Sequence, residues 1–248
     1  MTDADGAQSC TGTIAAGQCT IAFTAAGTHH LTATASGDTN FNGSASTPAT
    51  VHSVNKADTS TTISSDNPDP SVVGQTVTVV FAVGVTSPGA GTPSGNVTVT
   101  DADSAQSCTG TVAAGQCTIA FTAAGTHHLT ATYAGDTNFN GSNGNYAGGL
   151  TVNKADTTLA LTGAPNPSIF NQQVTFTATI SITLPGAGNP TGNVSFMDAG
   201  VNIGSCAAQP VTAKVATCQI STLSVGSHSA RGQSASSSSG WSGRLSGS

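Results

Sequence analysis

An all-β fold, built as a tandem array of sandwiches, is what this sequence predicts. Three observations carry that prediction. First, the stretch Gln106–Ser142 occurs twice: Gln8–Ser44, 98 residues earlier, differs from it only in Ile14 for Val112, Ala35 for Tyr133 and Ser36 for Ala134. The block Lys56–Thr59 returns as Lys154–Thr157 at the same offset. A period of that length is too long for a solenoid unit and fits one small domain. Second, strong helix formers are scarce while Thr and Val, which suit a pleated half-buried surface, are abundant. Third, the six cysteines fall as one local pair per repeat: Cys10/Cys19, Cys108/Cys117 and Cys206/Cys218.

Composition narrows the function classes. Charged residues make up 6%, all eleven acids are Asp, and the net charge is −6, so no basic surface exists to neutralise phosphates and nucleic acid is not an expected partner. No apolar run approaches the ~20 residues of a membrane helix. Met1-Thr2-Asp3 opens a polar segment rather than a signal peptide. Paired cysteines nevertheless indicate disulfides in an oxidising compartment, and closely spaced C-x2-C zinc half-sites are missing. The two are reconciled if the chain is a fragment of an exported protein.

Residues 1–54 are expected to be the C-terminal half of a repeat, 55–152 a complete repeat, 153–229 a truncated one, and 230–248 a disordered Ser/Gly-rich tail. Within the complete repeat, Asp58–Ile63 is a short first strand, and Asn67-Pro68-Asp69-Pro70 with Gly74 is turn chemistry. Thr76–Val85 puts Val77, Val79, Phe81, Val83 and Val85 on one face, the period-2 signature of a half-buried strand. Val97 and Val99 point inward from the next strand. Ser107–Val112 and Gln116–Thr122 are expected to form a hairpin around Ala113-Ala114-Gly115. A register with Cys108 opposite Cys117 suits a cross-strand bridge, whereas a three-residue turn would place the sulfurs on opposite faces. Thr126–Tyr133 aligns His127, Leu129, Ala131 and Tyr133. A loop and a last strand at Leu150–Asn153 follow. Seven short strands at this spacing read as an immunoglobulin-like sandwich.

At these residues the chain resembles the bacterial Ig-like domain repeat family. The matching elements are Asn166-Pro167-Ser168, Gln173–Phe176, Gly188–Val194, Gly125-Thr126-His127, Leu129–Tyr133 and Gly135–Phe139, covering most of residues 3–228. The resemblance implies an all-β sandwich, export, and a non-catalytic spacer or adhesive role. It supplies no catalytic residues.

Few residues suggest chemistry. Asp136, Asn138 and Asn140 resemble the opening of a calcium loop, with Asp58 nearby, but the twelfth position is Ala147 and the chain has no Glu. Asx turns explain the pattern equally. Asp38, Asn40 and Asn42 repeat it. His29-His30 and His127-His128 are adjacent pairs on strands, pointing to opposite faces, so neither chelates one ion easily. His127 is expected at the rim of the core and His128 at the surface. Asp101/Asp103 and Asp66/Asp69 sit in turn-like contexts, and no nucleophile-elbow or zinc-protease motif occurs. Asn96 and Asn193 open glycosylation sequons that are also plain strand starts.

The function expected is that of a non-catalytic structural stalk or spacer, extracellular or at a cell surface, whose partners are neighbouring Ig-like repeats. Two rivals stand beside it: an adhesin binding a glycan or protein through its loops, and an accessory module of a secreted enzyme. Scarce exposed aromatic rings weigh against a sugar platform. Asp58 and the Asp136 loop are expected at the entry end of the repeat, with Asp101 and Asp103 pairing Lys154 at the exit end. The two partial segments, each leaving an open edge and an uncovered face, are expected to be marginal alone and to complete each other between chains.

Overall fold

A computed structural model describes residues 1–234 and 243–244. Those residues form strands and no helix. The chain divides into two compact units: Met1–Asp69, Val77–Ile119 and Thr126–Leu150 in one, and Pro70–Thr76, Ala120–Gly125 and the residues from Thr151 on in the other. The division passes through the complete repeat.

The first segment holds β1 (Thr2–Asp3), β2 (Gly27–Thr32), β3 (Thr34–Gly37), β4 (Asn42–Ala45) and β5 (Thr50–Val54). β1, β2 and β5 make an antiparallel sheet in that order, and β3 pairs with β4. Residues 10–24 contain no strand. Asp3 and His29 are the buried residues of the segment, and both are polar. Ile21, Phe23 and Leu31 are half-buried, and the Phe23 ring lies against His29 and His52.

The complete repeat contributes β6 (Thr59–Asn67), β7 (Ser71–Val72), β8 (Thr76–Val85), β9 (Asn96–Asp101), β10 (Ser107–Thr111), β11 (Gln116–Ala120), β12 (Gly125–His127), β13 (Leu129–Tyr133), β14 (Ser142–Asn145) and β15 (Leu150–Asn153). One sheet runs β11-β8-β6, the facing sheet β10-β9-β13-β14, and a short third sheet β12-β15-β7. The alternation in β8 does what its period implies: Val77, Val79 and Phe81 are buried. They meet Val97 and Val99 of β9 and Leu129, Ala131 and Tyr133 of β13 in one core.

The expected hairpin at Ser107–Thr122 is not formed. β10 lies on β9 in one sheet and β11 lies on β8 in the other. The Ala113-Ala114-Gly115 turn, with Gly115 at φ 63°, crosses between layers, because each strand finds a free edge in a different sheet. The first strand runs on to Asn67 rather than stopping at Ile63; a bulge between Ile63 and Ser65 absorbs the irregularity and lets pairing with β8 resume. β14, Ser-Asn-Gly-Asn, falls where a loop was expected. It has no apolar alternation to read, and it fits because a Cβ on Gly144 would run into the Thr61 carbonyl oxygen. The expected Thr126–Tyr133 strand is split at His128, whose N–H donates to Asp103 Oδ2 (2.7 Å) instead of to a neighbouring strand.

The second unit holds β16 (Thr157–Ala164), β17 (Val174–Ile182), β18 (Asn193–Asp198), β19 (Val201–Asn202), β20 (Gln209–Pro210), β21 (Val215–Ile220), β22 (Ala230–Ser234) and β23 (Gly243–Arg244). β16-β17-β21 faces the sheet β19-β18-β22-β23, with β20 also on β18. The core holds Val174, Phe176, Ala178, Ile180, Val194 and Phe196. This corrects two expectations. The third repeat closes a sandwich core of its own, and the residues after Ser229 are not all tail: β22 pairs with β18 along its length, and Ala230 is buried. β23 also falls within the expected disordered tail and pairs with β22; residues 235–242 and 245–248 lie outside the described residues.

The two copies of one sequence give a controlled comparison. Ser107–Thr111 and Gln116–Ala120 are strands; the identical Ser9–Thr13 and Gln18–Ala22 are not. Phe139 is 6% exposed and its counterpart Phe41 73%. Phe121→Ala is therefore expected to cost ~3–5 kcal/mol of unfolding free energy, as truncation of a buried ring does, and Phe23→Ala in the first copy less than about 1 kcal/mol. Denaturant titration of the two variants of the whole chain measures the difference.

Candidate functional site

The residues singled out for calcium do come together. Asp136 Oδ1 accepts from the backbone N–H of Asn138 (2.9 Å) and Phe139 (3.0 Å), an Asx turn. Its Oδ2 accepts from Ser94 N–H (2.9 Å) and Ser94 Oγ (2.7 Å). Four donors, the Ser94 hydroxyl foremost, hold this carboxyl far below the usual carboxylate range. Lys56 Nζ donates to the Asp136 carbonyl (2.6 Å), and Asn140 Nδ2 donates to Asp58 Oδ1 (2.8 Å). Asp58 and the Asp136 loop thus share one end of the repeat. Both carboxylate oxygens of Asp136 and Oδ1 of Asp58 accept protein hydrogen bonds. Among the described residues no group of three or more His, Cys or Asp is placed to hold a metal ion.

Asn138 does something the motif did not suggest. Its Oδ1 accepts from the backbone N–H of Ala26 in the first segment (2.9 Å), while its carbonyl accepts from Ala57 N–H in the linker (2.9 Å). One side chain and one backbone unit join two repeats. The next repeat boundary has its own contact, within the second unit: Ala187 N–H donates to the Val73 carbonyl (3.0 Å), and Gly74, at φ 81°, lies against the Ala187 backbone where a Cβ has no room.

Asp101 and Asp103 were expected beside Lys154. The structure gives them histidine partners instead, because the end of β9 lies next to the start of β13. His127 Nδ1 meets Asp101 Oδ2 at 2.7 Å, both side chains buried, and His128 Nδ1 meets Asp103 Oδ2 at 2.8 Å near the surface. Nor is Asp101 in a turn: it ends β9, and Ser104 Oγ donates to it. Asp66 likewise lies in β6, where Tyr146 Oη donates to it (3.0 Å) and burial pushes its carboxyl up.

The Asp–His pair recurs in all three repeats: buried again as Asp3–His29 at 2.7 Å, and half-buried as Asp198–His228 at 2.5 Å. In the first, His29 Nε2 also meets the Ala25 carbonyl (3.1 Å); in the third, His228 Nε2 meets the Ser224 carbonyl (2.8 Å). Two acceptors around one ring require both nitrogens to carry hydrogen, so the imidazolium is the form that fits. The Asp3 carboxylate first raises His29 above the usual histidine value; for His228 the Ser224 carbonyl acts first and Asp198 second. Sequence reasoning missed this pair. Its trace was there, as an Asp before the cysteine block and a His at the fixed distance after it in each copy.

The cysteines are bridged locally: Cys10–Cys19, Cys108–Cys117 and Cys206–Cys218. Cys108 is on β10 and Cys117 on β11, so the bridge ties one sheet to the other rather than two strands of a hairpin. In the third repeat Cys218 lies on β21, and Cys206 accepts from Phe196 N–H of the facing sheet, the same inter-sheet tie.

The fold and these joints define repeated Ig-like β-sandwiches tied by disulfides. The sequence profile of the bacterial Ig-like domain (group 3) family matches residues 63–153 and 161–239, and the chain belongs to that family. No curated protein matches it. Among solved structures it is similar to the crystal structure of the N-terminal eight Ig domains of Down Syndrome Cell Adhesion Molecule, isoform 1.30.30, at 14% identity and a TM-score of 0.29. That match covers 92% of this chain and 32% of the other, so the chain spans about a third of its length.

Two outcomes follow from the site. Raised histidines contribute stability that is full below about pH 6.5, the unfolded value, and that is lost as pH rises through the folded value. His228 is expected to titrate above 6.5 by NMR, with the third repeat losing stability over the same alkaline window; a midpoint at or below 6.5 contradicts the assignment. Reduction of Cys108–Cys117, mimicked by the double Ser variant, is expected to cost ~2–3 kcal/mol, and non-reducing peptide mapping should return three local linkages.

Proposed function

We propose that this chain is a non-catalytic spacer, an array of Ig-like repeats that holds whatever it carries at a set separation outside the cell or on its surface. The observation supporting it is the construction of the joints. Only residues 55–58 separate β5 from β6, and residues 154–156 separate β15 from β16. At each boundary a hydrogen bond spans the repeats: Ala26 to Asn138 at the first, Ala187 to Val73 at the second. Short linkers with bonded joints limit relative motion, whereas a flexible tether would carry longer Gly/Ser runs. The three disulfides suit an oxidising compartment, in keeping with export. Its immediate partners on this reading are neighbouring Ig-like repeats.

Small-angle scattering of the oxidised chain tests this. A spacer gives one narrow distance distribution, and the double variant Asn138→Ala, Gly74→Ala broadens it while leaving each repeat folded. Gly74→Ala alone should speed amide exchange at Ala187, since a Cβ at positive φ and against the Ala187 backbone opens that joint. A wild-type distribution already as broad as the variant's would defeat the spacer reading.

A further inference from the structure

One residue fastens the linker between the first two repeats. Asn140 Nδ2 donates to Asp58 Oδ1 at 2.8 Å and reaches the Lys56 carbonyl at 3.5 Å. The Asn140 N–H donates to the Ala57 carbonyl at 2.9 Å, and Thr59 Oγ1 donates to the Asn140 carbonyl at 2.7 Å. Asn138, two residues earlier, carries the bond to Ala26. The residue after Asn140 is Gly141.

Asn-Gly is the dipeptide most open to imide closure, because glycine places no Cβ beside the attacking backbone nitrogen. The chain holds three such pairs, at Asn42, Asn140 and Asn143. Asn42 lies in β4 opposite Gly37, and Asn143 lies in β14 opposite Thr132, so a ladder fixes the peptide that would have to swing. Asn140 and Gly141 belong to no strand. Nor can Gly141 be exchanged for a larger residue, since a Cβ there would come within 2.8 Å of the Tyr133 carbonyl oxygen. Packing therefore imposes the reactive pair at the point where the linker is fastened.

We propose that Asn140 is a deamidation site and that Asp58 is its latch. The Gly141 nitrogen attacks the side-chain carbonyl carbon of Asn140 and gives up its proton to solvent. The new C–N bond closes a five-membered imide, the bond from that carbon to Nδ2 breaks, and Nδ2 takes a proton and leaves as ammonia. Water then opens the imide at either carbonyl, leaving aspartate or iso-aspartate at position 140. While Asp58 holds Nδ2, the side chain is kept turned toward the linker and closure is slow. Once the linker lifts away, the amide is free and closure is fast. The product cannot be fastened again, because a carboxylate now stands where a donor faced the Asp58 carboxylate, and like charges in contact repel. Each opening of the linker is thus recorded as a permanent loosening. The site stands on the linker geometry alone, whether or not the array is a spacer.

The test holds the whole oxidised chain and its Asp58→Ala variant in mildly alkaline buffer, with peptide mass mapping at intervals. Asp58→Ala should gain the mass of an amide-to-acid exchange at Asn140 several-fold faster than the wild type, with the slow rate at Asn143 equal in the two proteins. Asn140→Asp should speed hydrogen exchange at Ala57, whose N–H donates to the Asn138 carbonyl, and leave protection of β8, β9 and β13 unchanged. Asn140→Ser, with neither amide nor charge, should speed it less. Equal rates at Asn140 with and without Asp58 overturn the latch. A rate at Asn140 no higher than at Asn143 in the variant overturns the site. Unchanged exchange at Ala57 in Asn140→Asp overturns the loosening, and so does a loss of protection across β8, β9 and β13, which assigns the residue to folding instead.

Discussion

A β-strand exists only where another strand accepts its hydrogen bonds and another layer covers its face, and every part of this molecule follows from that requirement. The two copies of the central block make the point without any mutation. Residues 107–111 and 116–120 are strands because β9 and β8 present edges to them; residues 9–13 and 18–22, the same letters in the same order, pair among the described residues only through the Thr2–Ser9 bridge and are irregular. Local propensity is identical in both places, so the difference lies entirely in tertiary pairing. The burial of Leu129 and the half-burial of Leu31 have the same origin.

That requirement also explains which parts of the fold could be read from the letters. The β8 alternation, the inward Val97 and Val99, and the repeat period were all legible, because each is a local pattern with a local physical cause. The destination of β10 and β11 was not. A short turn between two strands looks like a hairpin whether the chain reverses within a sheet or crosses to the facing one, and only the free edges of β9 and β8 decide. β14 was hidden for a related reason: Ser-Asn-Gly-Asn has no apolar side chain to betray a strand, and its Gly matters only once the Thr61 carbonyl lies against it. Ala230–Ser234 was read as tail from its Ser/Gly surroundings, yet the edge of β18 recruits it.

The candidate site shows the same division. The clustering of Asp58 with Asp136 and Asn140 followed from sandwich geometry. Their roles did not, since Asp136 spends its oxygens on Ser94 and its own loop, and Asn138 turns outward to Ala26. The Asp–His pair left a trace in the sequence: a His follows the second cysteine at the same distance in every repeat, with an Asp ahead of the first. The position of His127 at the rim of the core is a local pattern, whereas its Asp partner comes from the end of another strand and appears only once β9 and β13 pair. Three Asp–His pairs and three disulfides, one of each per repeat, hold a chain that has few charges for surface ion pairs.

The inter-sheet placement of the disulfide carries a mechanical meaning. When a sandwich is pulled apart by its ends, the residues between bridged cysteines cannot be drawn out, because the covalent link bears the load across them. The Cys108–Cys117 bridge withholds a span of 9 residues and Cys206–Cys218 one of 12, about 30 and 40 Å of contour at full extension. The same links keep the two layers of the second and third repeats within reach of one another after their hydrogen bonds have torn, so a stretched array in an oxidising medium can re-form from tethered halves, and its reach under tension becomes a function of the surrounding redox potential.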